Sequence, residues 1–131
     1  MKTDADIKKL SEVIEFIDSF LESVHCSPKA QMQIDTSVEE IFVNIASYAY
    51  PEGKGTADID IYLTSDNMVC IELTDSGKPF NPLARTDPDT SLTANERKIG
   101  GLGIFMVKKL MDKVEYVRHD NCNTLYLYKK I

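Results

Sequence analysis

Residues 34–75 read IDTSVEEIFVNIASYAYPEGKGTADIDIYLTSDNMVCIELTD, and a change of period inside this run decides the fold. Its first part is helical. Ile34, Val38, Ile41, Phe42, Ile45 and Ala49 recur at three- and four-residue steps, the spacing of one face of an α-helix. A second line, Ser37, Glu40, Asn44 and Ser47, follows the same steps and places these polar groups on a narrow neighbouring face. The helix ends near Tyr50, before Pro51 and the turn Pro51-Glu52-Gly53-Lys54-Gly55. The period then drops to two. Ala57, Ile59, Ile61 and Leu63 alternate with Asp58, Asp60, Tyr62 and Thr64. After Ser65-Asp66-Asn67, Val69, Ile71 and Leu73 alternate with Cys70, Glu72 and Thr74, which makes a hairpin.

Upstream, Thr3-x-x-Asp6 reads as a capping box for a first amphipathic helix of about six turns. Its apolar face is Ile7, Leu10, Val13, Ile14, Ile17, Phe20, Leu21 and Val24. Lys8, Lys9, Glu12, Glu15 and Asp18 fill the opposite, solvated face. Ser27 caps the second helix and Pro28 takes its first position. Downstream, Gly77 to Lys98 has no period, contains Pro79, Pro82 and Pro88, and has the length of a lid or binding loop. Gly100-Gly101-Leu102-Gly103 opens a third helix carrying Ile104, Phe105, Val107, Leu110 and Met111. Strands over Lys113–Arg118 and Thr124–Lys130 flank the turn Asp120-Asn121. Helices and strands do not alternate as a doubly wound dinucleotide fold requires. The order predicts an α+β fold, a two-layer α/β sandwich with a mixed, mostly antiparallel sheet and helices on one face. Residues 1–131 form one domain in this reading.

The net charge of −6 and pI near 4.9 argue against a partner with a phosphate backbone, so no nucleic acid is expected. Cys26, Cys70 and Cys122 have no framework spacing, and Cys70 reads as a small hydrophobe in a strand. His25-Cys26 and His119-x-x-Cys122 are isolated pairs and read as structural, not metal-binding. No leader or membrane-spanning run is recognisable, which points to a cytoplasmic protein with no membrane partner.

Three groups carry chemistry. A glycine turn at a helix start, Gly100–Gly103, lets unpaired N–H groups and the positive helix end approach a polyphosphate. It is not a Walker motif, because Ile104 and Phe105 stand where Lys and Ser/Thr would be. Asp75-Ser76-Gly77 at a strand end offers a carboxylate for an exocyclic amine and a glycine against which a ring can lie; it also reads as a plain Asx turn. Glu40 and Asn44, at i and i+4, point the same way. An Asn oxygen suits Mg²⁺ and a carboxylate can deprotonate a hydroxyl, although a solvated helix edge has the same appearance.

Taken in this order, the three resemble the GHKL ATPase superfamily of gyrase B subunits, sensor histidine kinases and mismatch-repair ATPases, and most closely its anti-sigma-factor serine/threonine kinase branch. Glu40-Ile41-Phe42-Val43-Asn44 matches the N-box. Asp75-Ser76-Gly77-Lys78-Pro79-Phe80-Asn81-Pro82 matches the first glycine box. Gly101-Leu102-Gly103-Ile104, followed by Val107-Lys108-Lys109-Leu110-Met111-Asp112, matches the second, and Thr124 matches a threonine of the last strand. The resemblance covers nearly the whole chain. It implies ATP and Mg²⁺ as ligands, with Asn44 holding the metal and Glu40 as general base. Asp75 would bind the adenine amino group, Gly77 would close on the base, and Thr124 would assist through water. Backbone groups of Gly101, Leu102 and Gly103 would cradle phosphates under a lid over Phe80–Lys98, from which Arg97 or Lys98 would reach them. The implied activity is protein serine/threonine phosphorylation of a small antagonist protein, with a sigma factor as second partner. The alternative is a non-catalytic, nucleotide-dependent interaction module. Glu40 favours the kinase, and a detached histidine-kinase catalytic domain is disfavoured because neither His25 nor His119 stands in a histidine-then-acid context.

The chain departs from the family pattern at three places. The usual first strand is nearly absent, since only Met1 to Thr3 precede the expected helix cap. Tyr48-Ala49-Tyr50 replaces a His-Gly-Tyr ending, and Pro79 takes the place of a second glycine. The long first helix and a short sheet edge fit a homodimer.

Overall fold

The computed structural model describes residues 1–84 and 101–131. Strands β1 (Lys2–Asp4), β2 (Thr56–Leu63), β3 (Met68–Asp75), β4 (Lys113–His119) and β5 (Cys122–Lys130) form one sheet in the order β1-β2-β3-β5-β4. Every pairing is antiparallel, where the sequence allowed for a mixed sheet. Helices α1 (Leu10–Ser23), α2 (Pro28–Asn44) and α3 (Gly101–Leu110) make the second layer. The two-layer sandwich and the separation of helices from strands are as expected.

The alternation along each strand sets its inner face. Ala57 and Ile59 of β2, Val69, Ile71 and Leu73 of β3, and Leu125 and Leu127 of β5 are buried under the helices. Val13, Ile17 and Leu21 of α1 and Ile34, Val38, Ile41 and Phe42 of α2 close the core from above. Burial of side chains of this size contributes about 2 kcal/mol each relative to leaving them in water. Cys70 lies on the other face of β3 and is nevertheless fully buried; desolvation raises its thiol pKa.

Two corrections concern the amino-terminal region. The expected helix cap at Thr3 is instead a strand: β1 pairs with β2, with Lys2 opposite Asp58 and Thr3 opposite Ala57. The first strand, read as nearly absent, is therefore present. Three residues are too few to show a period of two, and β1 forms because β2 offers an open edge. Asp6 Oδ1 accepts from Lys8 N at 2.9 Å and caps a short 3₁₀ turn, Ile7–Lys9, so α1 starts only at Leu10 and runs 14 residues. The second correction is Asp18. The helical period puts it on the solvated face, yet it is half-buried against α2.

α2 begins as expected, with Ser27 Oγ accepting from Ala30 N at 3.2 Å and Pro28 at the first position. After Asn44 the helix widens into a π turn, Ile45–Ala49, before it stops. Such turns often accompany functional sites.

Candidate nucleotide site

The π turn aims α2 at the end of β3. Between them lies a cleft with a cavity volume of about 50 Å³, open at its mouth and lined by residues including Ile41, Asn44, Ala49, Leu73, Asp75 and Asn123.

The floor is built from two strand residues placed directly opposite each other, Asp75 of β3 and Asn123 of β5. Both are buried, at 7% and 6% exposure, which for a carboxylate requires hydrogen-bond partners. Asp75 Oδ1 accepts from Gly77 N at 2.9 Å and from Asn123 Nδ2 at 3.0 Å. Its other oxygen receives no hydrogen bond among the described residues. Asn123 uses its whole amide. Nδ2 also donates to Lys78 O at 2.9 Å, while Oδ1 accepts from Tyr116 Oη at 2.5 Å and from Phe80 N at 3.3 Å. It holds both the carboxylate and the strand exit.

The protein's own packing requires a glycine at position 77. A Cβ on it would lie 2.2 Å from the carbonyl oxygen of Ala49, inside van der Waals contact. The same carbonyl accepts from Lys78 N at 3.0 Å, so the loop after β3 is clasped to the π turn. Arg118 Nη1 donates to Gly77 O at 2.9 Å from the other side. Tyr50 completes the clasp. Its hydroxyl donates to Thr56 O at 2.5 Å and accepts from Ser76 N at 2.8 Å, and its ring covers Gly55, where a Cβ would lie 2.3 Å away. The replacement of the His-Gly-Tyr ending by Tyr48-Ala49-Tyr50 thus keeps the residue that ties the helix end to both strands.

Asn44 lines the wall of the cleft, half-buried, with no hydrogen bond to its amide among the described residues. Glu40, one turn earlier, turns its carboxylate toward the first turn of α3: a Cβ on Gly103 would lie 2.6 Å from its Oε2. The structure therefore brings together Glu40, Asn44, Asp75, Gly77 and Gly103. Gly101 and Leu102 are the first residues of α3. Arg97, Lys98, Gly100 and the lid beyond Ala84 lie outside the described residues.

Thr124 is not brought in. It sits on the open face of the sheet, where its hydroxyl meets that of Thr74 at 3.0 Å. The neighbouring Asn123 occupies the inner face instead. The signal for this was in the strand itself: if Leu125 and Leu127 point to the core, period two sends Asn123 inward and Thr124 outward.

The family described as histidine kinase-like ATPase domain matches this chain over residues 3–129. Serine-protein kinase RsbW of Halalkalibacterium halodurans is 38% identical over 86 residues, covering 63% of this chain and 52% of that protein. Serine/threonine-protein kinase BtrW of Bordetella bronchiseptica is 25% identical over 104 residues, 77% of this chain and 71% of that one. The chain thus spans about half the length of the first of these relatives. Among solved structures, the RsbU and RsbW domains of Rv1364c from Mycobacterium tuberculosis superpose over 99% of this chain and 32% of that chain, with a TM-score of 0.69 and 14% identity. The histidine kinase domain of the blue-light activated histidine kinase from Erythrobacter litoralis EL346 covers 92% of this chain and 60% of that one, with a TM-score of 0.58 and 14% identity. At such identities the likeness is one of fold.

Proposed function

This chain belongs to the histidine kinase-like ATPase domain family, and from that premise we propose that it is an anti-sigma factor serine/threonine kinase. In this reading it binds a sigma factor and uses ATP to phosphorylate a small antagonist protein in a partner-switching pathway. The names of the two kinase relatives support the activity. The single observation that carries it is the cleft. A buried carboxylate with one oxygen free of hydrogen bonds among the described residues, Asp75, shares it with an amide likewise without a hydrogen bond among them, Asn44, and Glu40 stands one helical turn away, against the start of α3.

Asp75 reads the adenine amino group, held in place by Asn123, which takes the part that the resemblance gave to Thr124. The N–H groups of Gly101, Leu102 and Gly103 face the phosphates at the positive end of α3. Among the described residues no three His, Cys, Asp or Glu side chains gather as a metal cage. The residues present fit Mg²⁺ carried on nucleotide phosphates, with Asn44 Oδ1 as the protein ligand. Such an ion would neutralise phosphate charge. Glu40 accepts the proton of the incoming Ser or Thr hydroxyl as its oxygen bonds to the γ-phosphorus and ADP departs.

The test is Glu40→Gln with labelled ATP and the cognate antagonist, beside a nucleotide titration. Transfer should fall about 10²–10⁴-fold while ADP affinity changes little, because the amide keeps the shape and loses the basic oxygen. Nucleotide-dependent partner binding with no transfer by the parent protein would replace the kinase with the non-catalytic module. No helix among the described residues is long and apolar enough to cross a membrane.

A further inference from the structure

α1 and α2 pack side by side, and their solvent-facing seam carries two adjoining shallow depressions that share Ile14 and Glu39, together a groove separate from the nucleotide cleft. Leu10, Ile14 and Met32 give it an apolar floor, and Met32 is 64% exposed. Its walls carry Glu15, Asp18 and Glu22 from α1 and Asp35 and Glu39 from α2. No Lys, Arg or His is among the described residues lining it, and α1 itself contains no basic residue. Like charges at such spacing repel, and nothing in the groove offsets them.

A second observation lies at its centre. Asp18 and Asp35 face each other across the seam, and Oδ1 of each is buried with no partner among the described residues unless one carboxyl is protonated and bonds the other. Two carboxylates are both acceptors, so they bond each other only when one carries a proton. Burial first, then the hydrogen bond and charge of Asp18, push the Asp35 carboxyl up to about 7. The other groups around it offer no relief. They are Glu39 on its own helix and Cys26 in the connection, whose thiol is raised by burial and then by Asp35, while Glu15 and Glu22 line the adjoining depression beside Asp18. The exposed His25 stands in the same connection.

An apolar floor beneath uncompensated acid walls fits a long cationic side chain, whose methylenes cover the floor while its charge reaches the carboxylates. We propose that this groove is the docking site of a basic amphipathic helix from a protein partner, with one Lys or Arg seated between Asp18 and Asp35 and its apolar face on Leu10, Ile14 and Met32. Charge complementarity selects this occupant. A second copy of the chain, with net charge −6, would bring carboxylates to carboxylates, and a nucleic acid or an anionic membrane has the wrong sign. The groove runs from Leu10 to Glu22, about 18 Å of helix, enough to hold three turns of a partner.

The seated cation displaces the proton on Asp35, so binding strengthens as pH rises. The probe is a fluorescein-labelled helical peptide with Leu on one face and Lys elsewhere, compared with its Glu-for-Lys counterpart. The full chain is used in a His25→Gln, His119→Gln background, which removes both imidazoles. By anisotropy, affinity for the Lys peptide should rise about tenfold between about pH 6 and about pH 8, the factor for releasing one proton from a group at about 7. Asp35→Asn should hold that change under about twofold, and backbone amide shifts should cluster on α1 and α2. Equal binding of the Glu peptide, a flat pH profile in the parent, or shifts centred on the sheet would overturn the proposal. So would self-association by sedimentation without peptide that Met32→Glu abolishes, since the occupant would then be a second copy.

Discussion

Two carboxylates, one buried at the cleft and one half-buried at the seam of α1 and α2, meet opposite fates. Asp75, at the cleft, has its Oδ1 doubly bonded by Gly77 N and Asn123 Nδ2. Asp35, at the seam, faces another carboxylate and has a buried oxygen with no partner among the described residues unless one of the two is protonated. Burial disfavours charge in both places. What differs is the provision made for it. At the cleft the provision is amides fixed by strand register and a tight turn, and that makes a preorganised site. At the seam it is absent, and the carboxyl retains a proton to about neutral pH.

The sharpest way to break this contrast is to remove the cleft's provision. Asn123→Ala strips partners from Asp75, Lys78 O, Phe80 N and the Tyr116 hydroxyl at once. Losing a hydrogen bond to a charged group and orphaning its neighbours should cost about 3 kcal/mol, or roughly 10 °C in melting temperature for a domain of this size. ADP binding should weaken with it. A melt within about 2 °C of the parent would show that the amide network does not hold Asp75.

Gly77→Ala tests the clasp beside it. The added methyl meets a backbone carbonyl, which cannot swing away like a side chain, so the loop after β3 must move. The expected destabilisation is about 2 kcal/mol by denaturant titration. Gly103→Ala is the informative control: there the obstacle is the flexible end of Glu40, so the fold should tolerate it while phosphoryl transfer suffers.

At the seam the sign reverses, and removing charge should help. The pKa of Asp35 is raised on folding, so its contribution is fully present below the ordinary aspartate value near 4 and is lost as pH climbs through about 7. With allowance for solvent screening of a partly exposed pair, Asp35→Asn should stabilise the protein by about 1 kcal/mol at about pH 8 and do little at about pH 5. Equal gains at both pH values would mean that the pair does not share a proton.

The smallest effect belongs to Thr124→Val. It removes the hydroxyl contact with Thr74 on the open face, worth a few tenths of a kcal/mol, and should leave ADP affinity within about twofold. A tenfold loss would return Thr124 to the site.

These residues also mark where the sequence could be read and where it could not. α2 was legible because Ser27, Pro28 and a long apolar stripe agree, and with it came Glu40 and Asn44. Asp75, Gly77 and Gly103 were legible because they stand at element ends, where turn chemistry is local. β1 escaped because three residues carry no period and because its reason for forming is the distant edge of β2. Asn123 was hidden behind a one-residue slip, the error to which strands are most prone. The Asp18–Asp35 pair could not be seen at all from spacing along one helix. It exists only where two helices meet.

The cleft has one further use. The chain contains no tryptophan, and Tyr48, 43% exposed, is one of the residues lining the cleft. Tyr48→Trp would place the molecule's single indole in that lining, on the turn clasped to the Gly77 loop. Its emission would then report arrival of a nucleotide without a label on either partner, and stopped-flow mixing could time that arrival separately from the proposed phosphoryl transfer.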